Sequence, residues 1–480
     1  MYSSNQIYRR NAYTLPPHRY SSAGMEHRAF IALGSNLGIR VKEIERACRE
    51  MDRNPKMRVL RTSSLWETDA MYVLDQEKFL NGVCEIETSL SPFRLLDQLQ
   101  AIEDKMGRVK VIDKGPRNID LDILLYDEEV FSTERLQIPH AQMLEREFVL
   151  RPLCELIPER SLPPHVSLPG GSLQFHLSNL PARQPISSLT PLPRRVPNII
   201  PGDPRRDTRI MSILNLTPDS FSDAGRHFNM EKAEWKKLIK SHMEAGATII
   251  DLGGQSTRPG AVQISSKEEI ARVIPAVKII RSMPQTLDIA LSVDTYHADV
   301  AEAAIRAGAD IINDVSAGML DDAMLSTVAK LGCTICLMHM RGVPSTMHTL
   351  TNYPDGLVET VGRELLSRVQ AAEKAGIRRW RIILDPGIGF AKNREQNLEL
   401  LRRLGELRRY PGLQDFPWLV GTSRKNFVGK VTGVKLAKER KWGTAAAITA
   451  AIQGGADIVR VHDVEAMCQV SKMADAVWRV

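Results

Sequence analysis

The sequence predicts an α/β protein in two parts: an N-terminal α/β sandwich of ferredoxin-like type and a C-terminal TIM (β/α)8 barrel, joined by a proline-rich linker. Three observations predict it. Short apolar, β-branched runs recur eight times between residues 209 and 463, most of them separated by helix-length segments. Ahead of them, a smaller set of strands and amphipathic helices interleaves over residues 27–160. Between the two, ten prolines crowd Pro163 to Pro204, a density that sustains neither helix nor central strand. The expected boundaries are therefore a tail over 1–26, a first domain over 27–160, a linker over 161–206 and a second domain over 207–480.

In the first domain the strand candidates are Ala29–Ser35, Val59–Glu67, Leu80–Glu87 and Ile119–Tyr126. Val41, Ile44, Cys48 and Met51 repeat at helical spacing, as do Leu95, Leu99, Ile102 and Met106. Ser91-Pro92 supplies an N-cap with proline at the first helical position.

In the second domain the apolar runs are 209–216, 248–254, 289–295, 310–316, 334–340, 381–387, 417–423 and 458–463. Glu231–Ala245, Lys267–Ile280 and Asn397–Leu407 are helix-length spacers. Continuous apolar strands alternating with helices imply a parallel sheet covered on its outer face, and eight such units make a barrel. Each run ends in polar residues: Asn215, Asp251, Asp294, Asn313–Asp314, His339, Asp385, Ser423–Lys425 and Arg460–His462. A barrel gathers those ends into one mouth, where such folds carry their chemistry.

The 480-residue chain carries a net charge of +7 with only 5% aromatic residues. Its Lys and Arg are scattered and stacking aromatics are scarce, which argues against nucleic acid and leaves anionic small substrates. No apolar run approaches the roughly 20 residues that span a bilayer. Six scattered cysteines fit a reducing compartment. Cys333 and Cys336 form a CxxC, but within Thr-Ile-Cys-Leu-Met it reads as core strand. Residues 1–25 hold no acidic residue and include Arg9, Arg10 and Arg19. They suit a mitochondrial presequence, with Met25 as a second start, or equally a plain tail; no secretory h-region is present, so the expected location is mitochondrial or cytoplasmic.

Asp120 and Asp122 lie two apart on a strand, so both carboxylates face the same side. Such a pair is a seat for Mg²⁺, or equally a solvated polar face. Arg108, Lys110, Arg117, His140 and Arg146 are nearby cations suited to a polyphosphate. No GxxxxGK[ST] occurs, so a nucleotide here is not held by a P-loop.

The segments Ala32-Leu33-Gly34-Ser35-Asn36-Leu37-Gly38, Gly115-Pro116-Arg117-Asn118-Ile119-Asp120-Leu121-Asp122-Ile123 and Ile138-Pro139-His140 resemble the 6-hydroxymethyl-7,8-dihydropterin pyrophosphokinase family, from about Arg28 to Pro158. The resemblance implies transfer of pyrophosphate from ATP to the pterin hydroxymethyl group with release of AMP. It places Mg²⁺ on Asp120 and Asp122. Catalytic and phosphate contacts fall to Arg108, Lys110, Arg117, His140 and Arg146, the nucleotide side to Gln100 and Glu103, and the pterin pocket to Thr68, Asn81 and Phe148. Unlike bacterial relatives, the loop Val109–Lys114 is short and has no tryptophan.

In the barrel, Leu214-Asn215-Leu216-Thr217-Pro218-Asp219-Ser220-Phe221-Ser222-Asp223 follows the first strand and Asp251-Leu252-Gly253-Gly254-Gln255-Ser256-Thr257-Arg258-Pro259-Gly260 the second. With Asp385-Pro386-Gly387, Ser423-Arg424-Lys425 and Arg460-Val461-His462, they resemble the dihydropteroate synthase family from about Arg209 to Ala476. The resemblance implies condensation of the pterin diphosphate with p-aminobenzoate. It assigns the pterin to Asp294, Asn313, Met338, Asp385 and Lys425, with Asp385 and Lys425 in the catalytic set. The diphosphate goes to Asn215, Thr257, Arg258, Arg460 and His462, a Mg²⁺ ligand role to Asn215, and p-aminobenzoate to Thr257, Pro259 and Ser423. Gln255 stands where many bacterial relatives carry glutamate. Together the two resemblances imply a fused enzyme of folate biosynthesis, homodimeric or larger through its barrel. A methyl-transferring pterin barrel and a non-catalytic scaffold are the competing readings; Ser423-Arg424-Lys425 argues against the first, and Asp120, Asp122 and Lys425 against the second.

Overall fold

The computed structural model describes residues 27–71, 75–108, 115–162, 170–181, 186–193, 195–217, 232–255 and 263–479. The first part runs β1 (His27–Ser35), α1 (Arg40–Arg53), β2 (Met57–Thr62), β3 (Leu65–Thr68), β4 (Phe79–Thr88), α2 (Pro92–Lys105), β5 (Asp120–Tyr126), the short pair β6 (Phe131–Ser132) and β7 (Gln137–Ile138), α3 (Glu147–Leu156), α4 (Leu173–Ser178) and β8 (Ser187–Leu189). Its sheet has the order β5-β1-β4-β3-β8, with β2 also on β4, and its pairs are antiparallel.

Strand alternation sends neighbouring side chains to opposite faces. Ala29, Ile31 and Leu33 of β1 pack with Ile44, Cys48 and Met51 of α1 and Leu95, Leu99 and Ile102 of α2. Phe30 faces the other way, against Val149, Leu150 and Leu153 of α3. The predicted sandwich is thus an antiparallel sheet with helices on both faces. Pro92 opens α2 with Ser91 at the N-cap position, as expected, but the Ser91 side chain makes no capping hydrogen bond.

Two expectations shift. The single strand expected over Val59–Glu67 is two, because Ser63 interrupts the ladder: its N–H donates to Val83 O at 2.8 Å, while its Oγ accepts from Val83 N at 2.9 Å. Nor is the stretch 161–206 a free linker. Its residues form α4 and β8, and β8 pairs with β3.

The second part runs β9 (Arg209–Asn215), α5 (Lys232–Glu244), β10 (Ile249–Gly253), α6 (Ser266–Arg281), β11 (Ala290–Asp294), α7 (Ala298–Ala307), β12 (Ile311–Asp314), α8 (Met324–Leu331), β13 (Thr334–Met338), α9 (Leu357–Lys374), β14 (Ile382–Asp385), α10 (Arg394–Arg402), α11 (Leu404–Arg408), β15 (Leu419–Val420), α12 (Asn426–Thr432), α13 (Lys441–Gln453), β16 (Ile458–Val461) and α14 (Val464–Trp478). The eight strands lie in the order β14-β13-β12-β11-β10-β9-β16-β15. A parallel bridge between Leu384 and Trp418 brings the two ends together, with Leu384 N donating to Pro417 O at 2.9 Å. The helix expected over Asn397–Leu407 breaks at Arg403 into α10 and α11.

One residue from each strand fills the bottom of the barrel: Met211, Ile249, Ala290, Ile311, Cys336, Ile383, Leu419 and Ile458. Leu192, Val196 and Ile199 join this cluster from the proline-rich stretch and so cap the strands' N-terminal end. Cys336 belongs to that inner layer, whereas Cys333 packs in the outer core; the CxxC is core, as read.

The two parts are docked. Trp380, just ahead of β14, is 1% exposed and belongs to the core of the first domain. Its Nε1 donates to Glu45 at 3.1 Å. Around it Arg378 pairs with Asp52 at 2.7 Å, Arg379 with Glu155 at 3.0 Å and Arg381 with Glu45 at 2.8 Å. Trp380→Ala is expected to cost about 3–5 kcal/mol through the cavity it leaves, measured by urea unfolding of the full chain. A loss below about 1 kcal/mol would mean that the interface does not depend on this side chain.

Candidate active sites

β5 lies beside β1, with Asp120 opposite Gly34 and Asp122 opposite Ala32. Both aspartates open into a pocket whose wall also includes Thr68, Phe79, Asn81, Arg117, His140, Arg146 and Phe148. The leucine and isoleucine between and after them, Leu121 and Ile123, are buried in the core. The two-residue period of β5 therefore separates chemistry from packing.

Asp120 is gripped by two arginines: Arg108 Nη2 at 2.6 Å and Arg117 Nη2 at 3.0 Å. Arg108 also pairs with Glu103. Glu103 is 5% exposed and accepts the Leu121 N–H at 2.7 Å, so it ties α2 to β5. Burial pushes its carboxyl up to about 7, against the pull of Arg108. The protein shell around Asp122 raises its carboxyl above the ordinary range, and neighbouring Asp120 adds to this. His140 is held below its ordinary value by burial, with Asp122 pulling the other way.

Asn36 organises the wall. Its Oδ1 accepts the Arg117 N–H at 2.8 Å, and its Nδ2 donates to Gln76 at 3.0 Å and Glu77 O at 3.1 Å. Arg117 lies 5.3 Å from the Phe79 ring and Arg146 5.9 Å from the Phe148 ring. Asn81 Nδ2 donates to Thr68 Oγ1 at 2.9 Å, fixing the amide's orientation. Gln100 is not in this wall; its side chain accepts from Arg135 at 3.4 Å on the outer side of α2. Lys110 and the loop Val109–Lys114 lie outside the described residues.

In the barrel, strand periodicity aims the predicted side chains inward. Asp251, Asn313, Met338, Asp385 and Arg460 each stand two residues beyond a member of the bottom layer, and Asn215, Asp294, Ser423 and His462 four beyond. They share its parity and project into the mouth. Arg460 bridges Asp251 at 2.7 Å and Asp294 at 2.8 Å, and Asn313 Nδ2 donates to Asp251 at 3.2 Å. Asp251 is fully buried.

Burial pushes Asp294 up to about 7 against the pull of Arg460, and raises Asp385 against that of Lys425. Lys425 is lowered to about 8, first by burial, with Asp385 opposing. Its Nζ donates to Ile388 O and lies 4.8 Å from the Phe390 ring. Ser423 Oγ accepts the His462 N–H at 3.2 Å and lies 3.0 Å from His462 Nδ1. Met338 packs with Tyr296, Val315 and Met340, with Phe390 against them. Thr257, Arg258 and Pro259 lie outside the described residues.

Asn36 and Asp251 appear in the sequence motifs without a role; the structure makes them supports of Arg117 and Arg460. Lys392 has no mark in the sequence, because a lysine after Gly-Phe-Ala gives no sign of burial, yet it is 7% exposed.

The chain matches two family models: 7,8-dihydro-6-hydroxymethylpterin-pyrophosphokinase over residues 30–158 and pterin binding enzyme over residues 211–462. It is 47% identical to a folic acid synthesis protein of Pneumocystis carinii, over 94% of the chain and 60% of that protein's length. It is 41% identical to a mitochondrial folate synthesis bifunctional protein of Arabidopsis thaliana, over 95% of the chain and 84% of the relative. Its fold superposes on a wild-type Plasmodium falciparum HPPK-DHPS with pteroate at TM-score 0.78 and 21% identity, over 95% of this chain and 98% of the other.

Proposed function

The chain belongs to the family of fused folate-synthesis proteins that join a hydroxymethylpterin pyrophosphokinase to a pterin-binding barrel, and from that premise we propose that it catalyses both reactions in turn. The N-terminal head transfers pyrophosphate from ATP to 6-hydroxymethyl-7,8-dihydropterin and releases AMP. The barrel joins the resulting pterin diphosphate to p-aminobenzoate, forming 7,8-dihydropteroate and pyrophosphate. The observation that carries this reading is the barrel mouth, where Asp294, Asn313, Asp385, Lys425, Arg460 and His462 converge while Oδ1 of buried Asp294 has no hydrogen-bond partner among the described residues. A flat heterocycle rich in N–H donors supplies that partner.

In the first head, Asn81 and Thr68 present a preset polar edge to the pterin, and Phe148 an apolar face. Arg117, His140 and Arg146 surround the phosphates, so transfer proceeds by positioning and charge neutralisation with no covalent intermediate. Among the described residues no cluster of three or more His, Cys, Asp or Glu makes a complete metal cage. The Asp120–Asp122 carboxylates nevertheless fit Mg²⁺, whose remaining positions go to water and phosphate oxygens. When bound there it neutralises charge on the polyphosphate. Glu103 acts through Arg108 and β5, and Lys110 completes the phosphate contacts.

In the barrel, Asp385, Asn313 and Lys425 hold the pterin and Met338 packs on it. Arg460 commits Nε and Nη2 to Asp251 and Asp294 and has further N–H donors for the departing diphosphate, with His462, Thr257, Arg258 and the Mg²⁺ ligand Asn215. Ser423, Thr257 and Pro259 border the p-aminobenzoate. Loss of diphosphate leaves a pterin methylene cation stabilised by ring delocalisation; the aryl amine attacks it and gives up a proton. Preorganised cations around the leaving diphosphate lower that barrier.

Exposed Trp442 on α13, with Met473, Val477 and Trp478 on α14, supports a homodimer through the barrel. No described helix is long and apolar enough to cross a membrane. The mitochondrial name of the Arabidopsis relative supports a mitochondrial or cytoplasmic location. To test the first head, label at the γ-phosphate of ATP is followed with the pterin present or omitted. Transfer of label to the pterin with stoichiometric AMP supports the reading; AMP formed equally without pterin would overturn it.

A further inference from the structure

A five-residue turn, Gly387–Ala391, lies between two lysines of the barrel. Three of its residues have left-handed backbone: Gly387 at φ +69°, Gly389 at +85° and Ala391 at +48°. That backbone sends its carbonyls to different sides. Gly387 O and Phe390 O accept from Lys392 Nζ at 3.1 and 3.0 Å, whereas Ile388 O accepts from Lys425 Nζ. The same turn donates Gly387 N–H to Asp385 Oδ1 at 2.7 Å and sets the Phe390 ring 4.8 Å from Lys425 Nζ. It is tightly packed: a Cβ on Gly387 would fall 1.9 Å from His339 O, and one on Gly389 2.9 Å from Lys425 Cδ.

Lys392 is buried, and none of its three partners is a carboxylate. The third is His339 Nδ1 at 2.9 Å, so three acceptors match the three N–H donors of an ammonium. With Nδ1 accepting, His339 carries its proton on Nε2, which donates to Glu364 at 2.8 Å. Burial and the Lys392 charge keep that ring neutral, its pKa lowered to about 4. Glu364 is held in turn by Arg341 at 2.6 Å, and Arg341 lies 4.1 Å from the Tyr353 ring. Tyr353 OH donates back to Ala391 O at 2.9 Å. Burying an ammonium against neutral acceptors costs stability that an apolar side chain would not. What the ammonium supplies is a single shape for the turn.

We propose that Lys392 is a positioning residue of the barrel site: by holding the carbonyls of Gly387 and Phe390, it sets the turn that seats Lys425 and Asp385. The proposal rests on the reading of the barrel as a dihydropteroate synthase.

The test is a double-mutant cycle in the full chain, with pterin diphosphate and p-aminobenzoate supplied and dihydropteroate measured. Lys392→Met alone should lower kcat on the order of 10–100-fold, the cost of a misplaced catalytic group. In the Lys425→Met background the same substitution should cost less than about threefold, since its target is already gone. A second readout is the fall in rate near pH 8 expected from Lys425. Charged or titratable groups around Lys392 are Asp385, Lys425, Glu364, Arg341 and His339. Burial lowers Lys392 itself to about 7, so its charge is lost ahead of that of Lys425. The native rate should already begin to fall near pH 7, and Lys392→Met should lose that earlier step while keeping the fall near pH 8. General loosening of the barrel instead relieves burial and moves the fall to higher pH.

Near-native turnover of Lys392→Met, or a loss that multiplies in full with that of Lys425→Met, would overturn the proposal. Should Lys392→Met fail to fold, Ala391→Gly takes its place in the cycle. Glycine adopts a φ of +48° freely, so this variant loosens the same turn without removing a buried charge; a loss coupled to Lys425→Met supports the proposal and an uncoupled one overturns it. A native chain that forms no dihydropteroate would instead refute the barrel's assignment, and the proposal with it.

Discussion

Asp122→Ala is expected to abolish ATP-dependent AMP release, lowering it on the order of 10³-fold, while dihydropteroate formation from supplied pterin diphosphate continues at the native rate. The reason is geometric. Asp120 and Asp122 share one face of β5, and Asp120 is already gripped by Arg108 and Arg117. Without Asp122 the pocket keeps its cations and loses the second carboxylate of its Mg²⁺ seat. The substitution leaves the core intact, because the buried neighbours Leu121 and Ile123 are untouched, so stability should change by less than about 1 kcal/mol. AMP release by quenched-flow or coupled assay decides the matter. Retained release would remove Asp122 from the metal seat.

The second large effect belongs to the barrel. Lys425→Ala is expected to slow dihydropteroate formation by about 10²–10³-fold and to leave AMP release unchanged. Burial lowers the Lys425 ammonium to about 8, with Asp385 opposing. It is therefore protonated below that pH and loses its charge above it. The native rate should fall as pH rises through about 8, and the residual rate of Lys425→Ala should show no such fall. Stopped assays across that range, with stability followed in parallel, check both parts. A variant that keeps the native rate, or keeps the same descending limb, would exclude Lys425 as the group responsible.

Much of this architecture was legible in the sequence because two periodicities are strong. The eight apolar runs of the barrel differ from its strands chiefly at their ends, where the extended backbone turns into loops. Runs such as 381–387 are longer than β14 because Pro386 and Gly387 are already turn. The predicted mouth residues came together because inward parity is strictly maintained from Ile249 to Asp251, and from Ile458 to Arg460 and His462. In the N-terminal domain the paired aspartates were legible for the same reason.

What was not legible depends on contacts between distant segments. Nothing local marks Ser63 as the break between β2 and β3; the break exists because its hydroxyl replaces a ladder partner of Val83. Proline density argues against helix or central strand over 161–206, yet the described residues there include α4 and β8. It could not show that Leu192, Val196 and Ile199 would find the apolar base of the barrel, or that β8 would find the edge of β3. Trp380 lies just outside the apolar run 381–387 and has no mark in the sequence; only the docked fold places it in the core of the first domain, donating to Glu45 of α1. Lys392 is hidden for the complementary reason: two of its three partners are backbone carbonyls, which have no sequence signature.

The central claim, two consecutive reactions carried by one chain, is tested most directly in a single tube. Purified protein, Mg²⁺, ATP, 6-hydroxymethyl-7,8-dihydropterin and p-aminobenzoate are mixed, and AMP and dihydropteroate are followed together. The account predicts both products, with AMP appearing first and dihydropteroate following after a lag that added pterin diphosphate removes. Absence of both products, with pterin diphosphate also left unconsumed, would contradict it.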